Sequence, residues 1–183
     1  MHINESASIP EVGLHFLCMS FNIYHNLHIK TSPKEVFDAV SLPKHLDNWW
    51  TLKSSGVPEL DAEYNLNFTD DYNWYCKVSQ VKSNESFHLK MTKSDDDWNP
   101  TTFGFELKPE NNGTIVMFSH TNWIIDNQEF KQSSFCWAML LNGLKNYLEK
   151  EWDTDSLSEY SYKEIQTLLT IKQILISMLL HLT

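Results

Sequence analysis

No arginine occurs anywhere in the chain; all 14 basic residues are lysine. The planar guanidinium fork that clamps phosphates and carboxylates bidentately is therefore missing. The net charge is -10, with no cluster of cations to set against it. A nucleic-acid surface needs such a cluster, so that class of partner is excluded. Cysteine is scarce as well. Cys18, Cys76 and Cys136 stand far apart, odd in number and without a Cys-x-x-Cys pair. Neither a zinc site nor a disulfide framework follows, and a reducing, cytoplasmic compartment is the simple expectation. The apolar run at 14–21 has no basic segment ahead of it and so does not read as a secretory signal. Without that route the sequons at Asn4, Asn67, Asn84 and Asn112 carry no meaning. The C-terminal apolar stretch holds Lys172 and Gln173, and the run after them is too short to span a bilayer.

What is present is apolar bulk: 42% hydrophobic residues over 183 positions, seven of them tryptophan. That length predicts one domain with extensions: a loose leader over 1–20, the domain over 21–150, then 151–183. The strongest periodicity lies in 127–150, which has no proline. Phe130, Trp137, Leu141, Leu144 and Leu148 fall at spacings of three, four and seven, one apolar stripe of a long helix. Asp126 or Asn127 is placed to cap it, and Glu129 puts an acid in its first turn.

Ahead of that helix the chain alternates. FNIYHNLHIK sets Ile23, Leu27 and Ile29 on one face of a strand. Ser32, Pro33 and Glu35 form the start of a capped helix, and Pro43 begins a second short one. Leu60, Ala62, Tyr64, Leu66 and Phe68 then share one face of a half-buried strand. Asp70-Asp71 makes a turn before the strand at 74–82. Phe87, Leu89 and Met91, then Phe103, Phe105 and Leu107, face inward on two more strands. Asn111-Asn112-Gly113 marks a hairpin, and the last strand is TIVMFSHTNW. The order predicts an α+β domain: a curved six-stranded antiparallel sheet wrapped on one long C-terminal helix, with two short helices after the first strand.

The last segment differs. An acidic linker leads to an apolar stretch in which Leu168, Ile171, Leu175, Met178 and Leu182 fall on a/d spacing. This predicts an extra helix that docks on the domain or pairs with a second copy as a homodimer.

The run HIKTSPKEVFDAVSLPKHLDNWW, the alternating strands, the sequence NNGTIVMFSHTNW and the long helix together resemble the START-like (SRPBCC, helix-grip) superfamily. Within it they are similar to short proteins related to the C-terminal domain of the heat-shock protein 90 ATPase activator. The resemblance spans about residues 22–150. Gly113, Thr114, Val116, Phe118, His120 and Trp123 are its most specific part. It implies a cavity between the long helix and the sheet, in which members bind apolar small molecules; some have become cyclases or hydrolases. The co-chaperone itself carries a separate N-terminal domain that contacts the chaperone, whereas only a leader of about twenty residues precedes the first strand here.

Several groups invite a chemical reading. His120 shares the parity of Val116 and Phe118, so its ring points inward beside Trp123, either as a ligand donor or as a satisfied core histidine. Trp49-Trp50, Trp74-Tyr75, Trp98 and Trp137 are a heavy aromatic load that serves a pocket wall or plain packing, and Trp50 is the leading pocket candidate. DDDWNPTTFGFE at 95–106 nearly fits a calcium loop through Asp95, Asp97, Asn99 and Glu106. Pro100 stands where the sharp turn needs glycine, so a solvated turn is expected and no metal. His25 and His28 point to opposite faces of their strand, and Cys136 reads as a small core residue. No cofactor and no catalytic group are expected. The reading that follows is non-catalytic binding of a small apolar ligand against Trp50, Leu66, Phe68, Phe103, Phe105, Phe118, His120, Trp137 and Leu141. The alternatives are an interaction module that modulates a chaperone ATPase, and an enzyme of the cyclase or hydrolase kind.

Overall fold

The structure is a computed structural model that describes residues 20–69 and 72–149. The expected leader, the Asp70-Asp71 turn and the C-terminal extension lie outside the described residues. The element order is β1 (Phe21–Ile29), α1 (Pro33–Ser41), α2 (Pro43–Trp49), β2 (Lys53–Ser55), β3 (Glu63–Asn67), β4 (Asn73–Lys82), β5 (Ser86–Lys93), β6 (Thr102–Glu110), β7 (Gly113–Trp123) and α3 (Gln128–Glu149). The strands form one antiparallel sheet in the order β1-β7-β6-β5-β4-β3-β2, so β2 to β7 run as a meander and β1 closes against β7.

Each helix starts where local chemistry predicts. The Ser32 hydroxyl accepts the Glu35 N–H at 3.3 Å while the Glu35 carboxylate accepts the Ser32 N–H at 3.1 Å, a complete capping box. Asn127 caps α3, its Oδ1 accepting the Phe130 N–H at 3.0 Å. Trp137, Leu141 and Leu144 of the stripe are buried, and Phe130 and Leu148 pack against the same core from its margin. The Asn111-Asn112 turn forms between paired Glu110 and Gly113. The positive φ of 154° falls on Gly113, where a Cβ would stand 2.2 Å from the Ile29 carbonyl oxygen; only glycine fits there.

Two expectations need correction. The sheet has seven strands, not six. The extra one, β2, is three residues of Lys-Ser-Ser, too short and too polar to show a period. Leu60 does not share the inward face: it is 61% exposed. Asp61 next to it has φ 64°, a left-handed turn conformation that keeps the strand from starting before Glu63.

The sheet's inner face and α3 enclose the core, with α1 and α2 against one end. Both sheet edges are blunted. At β2 the edge is only three residues long. At β1 the last helix covers the strand end: Lys145 Nζ donates to the His28 carbonyl at 2.7 Å, and Glu149 accepts the Lys30 N–H at 2.8 Å. Open ladder groups that would recruit another strand are reduced at both sides.

Candidate functional site

The residues expected to line the interior come from β3, β6, β7, α3 and the chain just after α2 and β3, and the fold brings them together. Trp50, Leu66, Phe68, Phe103, Phe105, Phe118, His120, Trp137 and Leu141 are all buried. Trp137 is the hub. Its ring centroid lies 4.4 Å from Phe118, 5.1 Å from Trp50 and 5.5 Å from Phe103. Trp50 also meets Phe68 at 5.8 Å and Phe103 edge-on at 5.2 Å, the offset geometries that aromatic quadrupoles favour. The rings rest on one another.

His120 is fully buried and held from both sides. Trp137 Nε1–H, a donor only, points at Nδ1 at 3.0 Å, so Nδ1 accepts and the ring proton sits on Nε2. Nε2–H then donates to Thr101 Oγ1 at 2.8 Å. The Thr101 hydroxyl in turn donates to the Trp98 carbonyl. The relay uses both ring nitrogens, and burial pushes the imidazole down to about 3. At neutral pH it is uncharged, with neither nitrogen free to move a proton.

Trp98 closes one end of this interior. It sits in the β5–β6 loop, where Trp98 N–H and Asn99 N–H both donate to the Asp95 carbonyl, at 3.0 and 3.2 Å. The indole reaches inward to lie 4.6 Å from His120, 4.8 Å from Trp74 and 5.9 Å from Trp123. The loop is tied to α3 by Asn127 Nδ2–H donating to Asp97 Oδ1 at 3.2 Å. Among the described residues, three buried side-chain atoms have no hydrogen-bond partner: Trp98 Nε1, Trp123 Nε1 and Ser133 Oγ. Thr101 and Ser133 were not singled out in the sequence. Ser133 left a trace, as a hydroxyl set between Phe130 and Trp137 in an otherwise apolar stripe; Thr101, after a proline and before a strand, left none.

The acids of the near-calcium loop do not converge. Glu106 faces the other side of the sheet, accepting from Gln80 at 2.9 Å and lying 3.0 Å from His88 Nε2. No group of metal-binding size occurs among the described residues. Burial, then Asp96 and Asp97, raises the Asp95 carboxyl above its ordinary range. Burial, then Asp97 and Asp95, does the same to Glu129 at the start of α3. The loop and the helix end therefore carry mutually repelling carboxylates beside Trp98. Cys136 is buried and its thiol raised to about 11, mainly by burial and secondly by Glu129, as an inert core thiol would be. His25 faces α3, 3.1 Å from the Ser134 carbonyl, while His28 faces away towards Glu110.

Comparison with known proteins places the architecture. The chain is similar to the Aha1 dimer from Colwellia psychrerythraea, with 27% identity and a TM-score of 0.65 over 71% of this chain and 97% of that one. It also resembles protein MLL2253 from Mesorhizobium loti, at 17% identity and TM-score 0.63, covering 71% of this chain and 98% of that one. Protein SSP2350 from Staphylococcus saprophyticus matches at 20% identity and TM-score 0.60, over 71% of this chain and 93% of that one. The last two show the fold alone. No curated protein matches the sequence. No helix among the described residues is long and apolar enough to cross a membrane. Over residues 30–149 the sequence matches the family described as activator of Hsp90 ATPase homolog 1-like protein, and the chain belongs to that family.

Proposed function

We propose that the domain binds a small apolar molecule, without catalysis, in the interior between α3 and the sheet. Trp50, Leu66, Phe68, Phe103, Phe105, Phe118, Trp137 and Leu141 supply the apolar wall, and His120 holds Trp137 and Thr101 in place. The observation that carries this reading is polarity where a plain core would have none. Each buried donor without a partner costs about 1–3 kcal/mol, and native interiors keep few of them. Here three occur among the described residues: two indoles that flank His120 and a hydroxyl on the buried face of α3. Entry requires rings to part, and Trp98 is carried on the β5–β6 loop, so its displacement moves neither a strand nor a helix. Catalysis finds no support. A cyclase or hydrolase would need a free polar partner at His120, and both nitrogens are engaged.

Native mass spectrometry beside the denatured sample tests the reading. A neutral small molecule released on unfolding is the expected result. A clean apo mass, together with no uptake of small aromatic probes, overturns it. Alanine at His120 weakens binding in this reading; it abolishes turnover in the enzymatic one.

A second reading has its own observation. Ile124 and Ile125, in the β7–α3 connection, are 67% and 57% exposed, close in the fold to Phe21, which pairs with Trp123. This patch suits a protein partner, and the family's description points to a chaperone ATPase. Co-precipitation and an ATPase assay with Ile124→Asp and Ile125→Asp check it; unchanged stimulation by both variants removes it. Pairing of two copies through residues 151–183 is part of the same proposal, and the same native spectrum reads it as a dimer mass. The buried free thiols of Cys76 and Cys136 suit a cytoplasmic location.

A further inference from the structure

We infer that the interior contains a built subsite for one oxygen acceptor on an otherwise apolar, uncharged ligand, formed by Trp98 Nε1–H, Trp123 Nε1–H and the Ser133 hydroxyl. This rests on the ligand-binding reading and adds to it the chemical class of the ligand.

The three groups belong to one neighbourhood. Trp98 and Trp123 flank His120, with ring centroids 4.6 and 4.7 Å from it. Ser133 comes from the facing helix. Phe130, a turn before it, meets Trp123 at 5.6 Å; Trp137, a turn after it, lies 6.1 Å from both Trp98 and His120. Residues three and four apart share a helix face, so Ser133 looks at the same Trp123–His120–Trp98 group. All three side chains are more than nine-tenths buried: Trp98 is 6% exposed, Trp123 1% and Ser133 2%.

Their chemistry sets the partner. An indole N–H only donates, and a hydroxyl donates or accepts, so the complement is an acceptor with lone pairs. Two of the protein's own nearby acceptors are used: His120 Nδ1 accepts from Trp137 Nε1–H and the Trp98 carbonyl accepts twice from Thr101. A charged ligand does not fit. No lysine is buried here, and His120 is neutral with both nitrogens engaged, so an anion finds no counter-charge. Asp95, Asp97 and Glu129 repel it at the neighbouring loop and helix end. A cation would meet the positive ends of two N–H dipoles in a low-dielectric site. A ketone, ester, ether or alcohol oxygen on an apolar body meets every condition.

The test uses the full chain with 15N-labelled tryptophan and a matched probe set: toluene, acetophenone, benzoate and benzylammonium. Trp98→Phe and Trp123→Phe assign the two indole resonances. Acetophenone should move both indole protons downfield and bind about tenfold more tightly than toluene, the net worth of one good hydrogen bond. Benzoate and benzylammonium should bind more weakly than acetophenone. Ser133→Ala, a small change that removes one hydroxyl, should reduce the preference for acetophenone over toluene. If toluene binds but acetophenone binds no tighter, or either ion binds as well, the subsite is overturned and the apolar site stands. A long-lived water on both indoles that survives saturation with acetophenone overturns it too. If no probe binds at all, the ligand-binding reading falls and takes the subsite with it.

Discussion

The two ends of the aromatic interior are finished differently. At the α1–α2 end the polar tips of Trp49, Tyr64 and Ser41 each have a partner. Trp49 Nε1–H donates to the Ala39 carbonyl at 2.9 Å, the Tyr64 hydroxyl to the Ser41 carbonyl at 2.7 Å, and the Ser41 hydroxyl to the Phe37 carbonyl at 2.6 Å. The first ties α2 to α1, the second ties β3 to the end of α1, and the third closes the last turn of α1. At the other end, under the β5–β6 loop and the first turns of α3, two indoles and a hydroxyl are equally buried and have none. Side chains of the same kind are used for closure at one end and left available at the other. Burial alone does not tell a structural core from a site; the state of the hydrogen bonds does.

Mutations read this contrast directly. His120 joins the two halves of the open end, and His120→Leu strands the Trp137 N–H in an apolar setting and removes the donor to Thr101 Oγ1, whose own bond to the Trp98 carbonyl remains. We expect a loss of about 3 kcal/mol in urea unfolding. The same residue sets a pH dependence. Its folded pKa lies near 3, below the ordinary 6.5, so the folded state binds fewer protons between those values. Stability from His120 is complete above the unfolded value and drains away as pH falls towards 3. His120→Leu should remove that slope, and a slope left intact would mean another group titrates.

The next effect compares the ends head to head. Trp49→Phe and Trp98→Phe remove the same atoms, but the first strands the Ala39 carbonyl and the second relieves a partnerless N–H. Trp49→Phe should be the costlier by about 1–3 kcal/mol in chemical denaturation. Equal costs would erase the difference between the ends. Smaller still is the charge effect at the loop. Asp95 has a raised folded pKa, so its stability contribution is complete below its ordinary 3.8 and is lost as pH rises through the folded value. Asp95→Asn should therefore raise the melting temperature at pH 7, and the gain should vanish below about pH 4. Ser133→Ala should be smallest, within about 0.5 kcal/mol of wild type or slightly stabilising, since no bond is broken. A clear loss would reveal a partner for that hydroxyl.

Much of the fold was legible in the sequence because its signals are local. The Ser32–Glu35 box, the period-two alternation in β3 to β7 and the stripe on α3 each need only neighbours a few residues away. The failures have the same cause. In β2 there are three residues and no period, and the left-handed Asp61 gave no warning that Leu60 would turn outward. Of the interior, the parity of His120 and the aromatic load were readable, and the expected lining residues do meet. Thr101 was not readable as part of the site, since it acts on His120, which a separate strand carries; Ser133 left only the trace of a hydroxyl in the α3 stripe.

By itself the sequence determined the element types, the inward face of most strands, the long helix and the family, because hydrophobic period and capping act over a few residues. Only the tertiary structure decided which buried polar groups would be partnered. Trp49 and Trp98 have the same side chain, and nothing in their local sequence says that one indole will find a carbonyl and the other none. A hydrogen bond at 3 Å is set by how separate elements pack, here α2 turned back onto α1, and no local period records that.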